Sequence, residues 1–357
     1  MTDRRRTLNR RQLLAGAGGV SLLGGVARQA ASGAAVDRSS PPQTSSAGKN
    51  GEPSAEAVVD ALEGAYGSNR GQRRYHTKGV GALGYFVGLP AAAVYSRSLL
   101  FSGETLPVVA RFSLASGNPH ASDTERSARG LGLQFGLPNG AFHHMAMVHT
   151  PMFFARLPKT FLDRFVALHP DPLTGKPDPA KYREFLASHA DSAAQAHFLA
   201  ETNPPVSFAK AAYYGIHTFK FLDRGGKVTL VRFRFVPQDG ERQLSREQMM
   251  FMPHTFLADE LIRRTRNGPV RWDMIVTIGD VGDPENDPTV LWPPGRQEFK
   301  AGTLILTSAA PDAEAGGYNV NFDPLHLSDG VAATDDPVLL FRSSAHAQSF
   351  GRRIRNT

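Results

Sequence analysis

Two strand–turn–strand stretches constrain this 357-residue chain more than anything else in it. Gly130–Phe135 and Ala141–Val148 are separated by Pro138-Asn139-Gly140. Asn-Gly is a strong hairpin signal, because both residues accept the left-handed backbone that a tight turn between twisted strands needs. Ile216–Leu222 and Lys227–Val236 flank Asp223-Arg224-Gly225-Gly226 in the same way. Pro107–Leu114 alternates, with Val109, Arg111 and Ser113 on one face and Ala110, Phe112 and Leu114 on the other. Arg271–Ile278 and Gly302–Thr307 read as further strands. Helical periodicity covers Ala55–Ala65, Lys159–Leu168, Ala180–Ala200 and Val338–Arg352. The last helix is started by Asp335-Asp336-Pro337, an acidic cap followed by proline in the first turn. The body is therefore mixed α and β, and no internal repeat of fixed period runs through it.

A net charge of +7 invites a nucleic-acid reading, but position argues against it. Residues 1–34 hold Arg4, Arg5, Arg6, Arg10, Arg11 and Arg28 against the single acid Asp3. The remainder is nearly neutral and has no basic stripe with interleaved aromatics, so no nucleic-acid partner is expected. The same segment has a basic start, a weakly apolar glycine-rich run and small residues near Ala30–Ala35. That is an export-signal pattern. Asn9-Arg10-Arg11-Gln12-Leu13-Leu14 fits its twin-arginine form, read by machinery that exports folded proteins. The apolar run is too short and glycine-rich to predict a stable membrane anchor. Residues 35–54 read as a disordered linker, and the folded body is expected over 55–357. Export places the protein in the periplasm or outside the cell. With no cysteine, the chain has no disulfides, thiolate haem ligand or Cys-type zinc site.

Four constellations carry potential chemistry. On the last helix, Arg342 and His346 are four apart and Arg353 lies seven beyond, so all three project from one side. They form either a solvated basic face or a buried set that needs an anionic or metal partner. Arg73-Arg74-Tyr75-His76-Thr77-Lys78-Gly79 holds a lone histidine, structural or catalytic, before glycines at 79, 81 and 84 that permit close backbone approach. Arg111 and Ser113 share a strand face, where the hydroxyl is suited to orienting an imidazole. His143 and His149 share another, with His144 between them. A zinc site there is a further reading, weakened by the lack of a nearby Asp or Glu.

Taken in order, these stretches resemble the haem catalase family, specifically its short catalase-related peroxidase branch. The resemblance rests on Arg73-x-x-His76-x-Lys78-Gly79, Arg111-Phe112-Ser113, Ser122-Asp123-Thr124 to Arg129-Gly130, Thr150-Pro151-Met152-Phe153-Phe154, Gly215 to Lys220, Leu291-Trp292-Pro293 and Arg342-x-x-x-His346. It implies an α+β fold: a closed antiparallel β-barrel with surrounding helices, lacking the C-terminal helical region of large catalases. It further implies heme b as cofactor. His76 becomes the distal base, with Ser113 fixing its tautomer. Arg73, Arg111 and Arg353 become propionate partners, and Phe161 a ring packed on the haem face.

Two departures bear on function. The family has asparagine before its Thr-Pro; this chain has His149, which is expected to contact peroxide as a catalytic residue or to obstruct it. The family places tyrosine, the iron ligand, four residues after the conserved-pattern arginine; here Arg342 is followed by His346. Histidine ligates haem iron on other folds, so His346 is the expected metal ligand. Beside Arg342 a neutral imidazole pushes less electron density to iron than a phenolate. The expectation is a peroxidase that reduces hydrogen peroxide or organic hydroperoxides with a small organic reductant, with weak catalase activity, as monomer or homodimer. The alternative is a haem-binding protein without peroxide turnover. Rearrangement of lipid hydroperoxides ranks third, since no apolar acyl channel is legible.

Overall fold

A computed structural model describes residues 51–356. The expected export signal, and all but the end of the expected linker, lie outside the described residues. The strands are β1 (Gly79–Gly88), β2 (Thr105–Leu114), β3 (Arg129–Gly136), β4 (Phe142–Val148), β5 (Tyr213–Leu222), β6 (Val228–Pro237), β7 (Val270–Ile278), β8 (Glu298–Pro311) and β9 (Val331–Ala333). The helices are α1 (Ala55–Tyr66), α2 (Pro90–Ala93), α3 (Pro158–Ala167), α4 (Pro179–Ser188), α5 (Ala193–Glu201), α6 (Arg246–Phe251), α7 (Leu257–Arg266) and α8 (Pro337–Ile354).

Strands β1 to β8 pair antiparallel, each with its sequence neighbours. Pairing of β1 with β8 and of β4 with β5 closes the ring, so no barrel edge is left unpaired. β9 adds to the outside of β5. The barrel is filled by one face of each strand. Phe86 meets Phe135 at 5.3 Å, and Phe112 lies 5.8 Å from Trp272, whose Nε1–H donates to the Ala211 carbonyl at 3.1 Å. The indole is thus buried with its one polar group satisfied.

The hairpin turns fall where expected, with Gly140 at φ +80° and Gly226 at φ +85°. One element went unassigned in the sequence and one expectation needs correction. The glycine-rich segment after His76 is strand β1, between β2 and β8. A Cβ at Gly84 would collide with the Ile305 carbonyl of β8, so glycine lets the strands close there. The single helix expected over Ala180–Ala200 is broken into α4 and α5 by a 3₁₀ turn at Ala190–Ser192. His189 leaves helical geometry at φ −125°, ψ 80°, and its Nε2 reaches Asp163 of α3 at 3.1 Å.

Helices α1, α3 and α8 contact one another beside the barrel. Ser54 caps α1 by accepting the Ala57 N–H at 3.1 Å. Arg352 of α8 reaches Asp60 at 2.6 Å and Glu63 at 2.8 Å on α1. The buried Arg74 pairs with Glu63 at 2.5 Å, tying the segment before β1 to the same helix. These contacts hold α8 over the barrel wall and leave a cleft between them.

Candidate active site

The cleft encloses about 1310 Å³ of non-atom space, part of it open to solvent. One wall is barrel: Arg111 and Ser113 of β2, Gly130 and Gly132 of β3, Met147 and Val148 of β4. The other is helical: Val58 and Leu62 of α1, Phe161 of α3, and Arg342, His346, Phe350 and Arg353 of α8. Strand alternation explains the barrel side. Phe112 points into the barrel, so Arg111 and Ser113 point out of it into the cleft. The helical stripe at 342, 346 and 353 also faces the cleft, and the solvated basic face is ruled out.

His76 sits just before β1 in the left-handed region, at φ +56°, which is uncommon for a residue with a side chain. Arg111 holds it there, donating from Nη1 to the His76 carbonyl at 2.9 Å and from Nη2 to the Thr77 carbonyl at 3.1 Å. His76 Nδ1 bonds Ser113 Oγ at 2.9 Å, leaving Nε2 as the unengaged ring nitrogen. Gly130 makes room for the pair: a Cβ there would lie 2.8 Å from both His76 Cε1 and Ser113 Oγ. Burial, then the positive charge of Arg111 and Arg342, pushes the His76 imidazolium down to about 3, so the ring is neutral at physiological pH.

On the α8 side, Asp336 does two things. One carboxylate oxygen accepts the Val338 and Leu339 N–H groups at 2.9 and 3.1 Å, capping the helix. The other takes a hydrogen bond from His217 Nδ1 at 2.7 Å. His217 Nε2 then meets Arg342 Nη1 at 3.0 Å. Arg342 therefore stands beside His346 already engaged. Burial, followed by the positive charge of Arg342, lowers His346 to about 3. It is a neutral imidazole facing the cleft. His217 was passed over as a site residue in the sequence because its partners, Asp336 and Arg342, are more than a hundred positions away; its place in the Gly215–Lys220 motif was the available signal.

Three guanidinium groups gather at the cleft. Arg73 donates to the Gly317 and Val320 carbonyls at 3.1 and 2.7 Å, and Arg111 pairs with Asp312 at 2.7 Å. Arg353 lies over the rings of Phe350 and Tyr318, at 4.8 and 5.6 Å, and its buried Nη1 has no hydrogen-bond partner. Burial, then repulsion from Arg111 and Arg353, pulls Arg73 down to about 8. Burial, then repulsion from Arg111, lowers Arg353 as well. Among the described residues Asp312 is the one carboxylate paired with this trio, so the cleft presents excess positive charge to an incoming anion. Phe161 lines the cleft between Phe153 and Phe165, at 6.3 and 4.8 Å.

His149 is not brought to this site. It follows β4, lies outside the cleft lining, and spends Nδ1 accepting the Arg129 N–H at 3.0 Å, with its ring edge-on to Phe198. The expectation that it contacts peroxide is corrected on that geometry. The histidine metal site does not form either. His143 is turned into the core onto Ser328, His144 bonds Gln134 and stacks on His326, and no group of three metal-ligating side chains occurs among the described residues.

The catalase family model matches residues 33–356. The chain belongs to the catalase family. The match begins at residue 33, within the stretch expected as the export signal. A catalase-related peroxidase of Synechococcus elongatus is 50% identical over 298 residues, covering 84% of this chain and 88% of the relative. A second, from Mycolicibacterium paratuberculosis, is 32% identical over 293 residues, covering 82% and 92%. Among solved structures, a fungal catalase superposes with a TM-score of 0.74 at 21% identity. It covers 80% of this chain, which spans only 60% of the fungal one: the shared part is the barrel core without the C-terminal region. As a catalase-family protein with catalase-related peroxidase relatives, the chain is an oxidoreductase of the haem peroxidase and catalase type.

Proposed function

We propose that this chain is a heme b peroxidase that reduces hydrogen peroxide or organic hydroperoxides with small organic electron donors, with weak catalase turnover. The observation that carries the reading is the pairing of His76–Ser113 on one wall of the cleft with neutral His346 on the other, under three guanidiniums with a single paired carboxylate.

The residues fit the group. Haem carries two propionates, and the unpartnered Arg353 Nη1 with the mutually repelling Arg73 and Arg111 is the arrangement two buried carboxylates would complete. His346 would hold the iron through its neutral imidazole. Bound haem supplies the iron on which peroxide is reduced. The protein's share is proton handling and orientation. His76 Nε2 takes a proton from the peroxide oxygen nearest it and returns it to the other oxygen, which leaves as water or alcohol. A neutral ring is required for the first half, and burial keeps it neutral. Ser113 holds Nδ1, and Arg111 holds the backbone, so the ring does not turn away. Holding the iron, a neutral imidazole beside a committed Arg342 would donate less electron density than a phenolate. That favours oxidation of organic donors over dismutation of peroxide.

The N-terminal pattern extends the reading. The enzyme is exported folded by the twin-arginine machinery, with cofactor in place, to the periplasm or the medium, where it works as a monomer or homodimer.

The test is the ultraviolet–visible spectrum of the purified protein, resting and after dithionite, beside His346→Tyr. The expected result is a Soret band with histidine-ligated ferrous features, converted to a phenolate-type spectrum by the substitution. A band unchanged by the substitution refutes His346 as the residue that holds the iron. A Soret band without peroxide consumption, with or without an aromatic donor, refutes the peroxidase and leaves a haem-binding protein.

A further inference from the structure

Peroxidase chemistry needs a route for single electrons from a donor to the buried cleft. Tyrosine and tryptophan are the side chains most readily oxidised by one electron. The chain has eight tyrosines and two tryptophans, and among them Tyr75 alone lines the cleft. It is placed at the working end: its ring meets that of His76 edge-on, with centroids 4.8 Å apart. Its other side leads outward. Tyr66, the last residue of α1, stacks on Tyr75 at 6.1 Å and 28°. Tyr66 is half-buried, whereas Phe165, which touches both rings at 6.1 and 5.1 Å, is fully buried. Burial raises both phenols, so they stay protonated in the resting protein. The arrangement runs from the reacting end of the cleft through one half-buried phenol to a second, also half-buried, that lies outside the cleft lining.

We infer that Tyr75 and Tyr66 form a two-step electron relay, through which organic donors too large for the cleft are oxidised at the Tyr66 surface. The inference rests on the peroxidase reading above. The balance is that of a peroxidase. Two donors AH each give up one electron and one proton and become A•. Their two electrons pass singly from Tyr66 to Tyr75 and into the cleft. There the O–O bond of ROOH breaks, and with two protons the products are ROH and water. When Tyr66 is oxidised its phenolic proton goes to solvent, and the donor restores it as a hydrogen atom. His76 delivers protons at the cleft end.

The plain alternative is that both rings only pack, and phenylalanine separates the two, since it keeps the packing and loses the redox chemistry. Haem-loaded protein is mixed with peroxide, freeze-quenched and examined by electron paramagnetic resonance, with a nitroso spin trap and peptide mapping in parallel. The wild type is expected to give a tyrosyl signal with trap adduct at Tyr66. Tyr66→Phe is expected to lose that adduct and its oxidation of a bulky donor. Tyr75→Phe is expected to lose the Tyr66 radical although Tyr66 is intact, a result packing alone does not produce. Tyr95→Phe, which removes a tyrosine stacked on Phe299 away from the cleft, should leave the signal unchanged. Loaded protein that consumes peroxide with no tyrosyl signal, or with the Tyr66 adduct unaltered in Tyr75→Phe, overturns the relay and leaves the peroxidase reading intact. A missing Soret band overturns that reading and the relay with it.

Discussion

Acid should destabilise this fold well before its carboxylates titrate, and His143 shows why. The ring is buried inside the barrel, 2% exposed. Its Nδ1 accepts the Ser328 N–H at 3.0 Å, so a proton at that nitrogen would oppose a donor already in place. Burial first, then neighbouring His144 and His326, lowers it from its ordinary 6.5 to about 3. The sign follows. Above pH 6.5 the ring is neutral folded or unfolded and pH has no effect. Below 6.5 the unfolded chain takes up a proton that the folded chain refuses, and stability falls until about pH 3. At pH 5 that is about 2 kcal/mol from this one side chain, at ~1.4 kcal/mol per pH unit. The assay is urea unfolding of wild type and His143→Asn at pH 7 and pH 5. The variant should lose about 1–3 kcal/mol at pH 7, through lost volume and altered hydrogen bonding. At pH 5 most of that deficit should vanish, because the variant no longer carries the acid penalty. A deficit of the same size at both pH values would refute the argument. His76, His149 and His346, each lowered to about 3 chiefly by burial, add to the slope in the same direction.

Other substitutions test the site. Gly130→Ala should cost about 1–3 kcal/mol by overpacking and push His76 off Ser113, so peroxide consumption falls while the Soret band persists; stopped-flow and spectra measure both. Asp336→Ala removes a cap and a buried hydrogen bond together, about 2–4 kcal/mol in sum, and thermal unfolding should show a loss larger than for Ser54→Ala, which removes a cap alone. Arg353→Met should weaken haem uptake at an unchanged Soret position, seen by titrating apoprotein with hemin; equal affinity would count against Arg353 as a propionate partner.

Much of the barrel was legible because side chains alternate along its strands. Val109, Arg111 and Ser113 announce one face of β2, and the turns at Asn139-Gly140 and Gly225-Gly226 fix two hairpins. β1 was not legible. Its glycines carry no side-chain pattern, and the reason for them, close approach of the β8 backbone at Gly84, exists only once the sheet is assembled. The break at His189 is tertiary in the same sense, since its ring is drawn to Asp163 on another helix. In the site, His76, Ser113 and the three arginines were recognisable because each sits in a short ordered motif. His149 misled because its position in the motif says nothing about its Nδ1, which the Arg129 backbone claims. Asp336 was read as a cap, correctly, yet its second oxygen and the route through His217 to Arg342 depend on pairings 119 and 125 residues apart in sequence.

That route also explains how the chain accommodates imidazole where the resemblance leads one to expect phenol. Asp336, His217 and Arg342 form a closed set: one carboxylate, one guanidinium and a bridging ring, satisfied among themselves. Nothing in it requires a charge at position 346. Burial still lowers Arg342, to about 10, and Asp336 and then Asp323 oppose that by attraction. Asp323 is in turn held by the Ser343 hydroxyl at 2.5 Å, one turn before His346. Two carboxylates thus stand near one guanidinium, and a neutral imidazole at 346 adds no further charge to them. A phenolate there would add a negative charge facing Asp336 and Asp323, answered by Arg342 and the metal. Under the proposed function, the difference between imidazole and phenol at position 346 would fall on the haem chemistry rather than on the fold, and would set the balance between donor oxidation and peroxide dismutation.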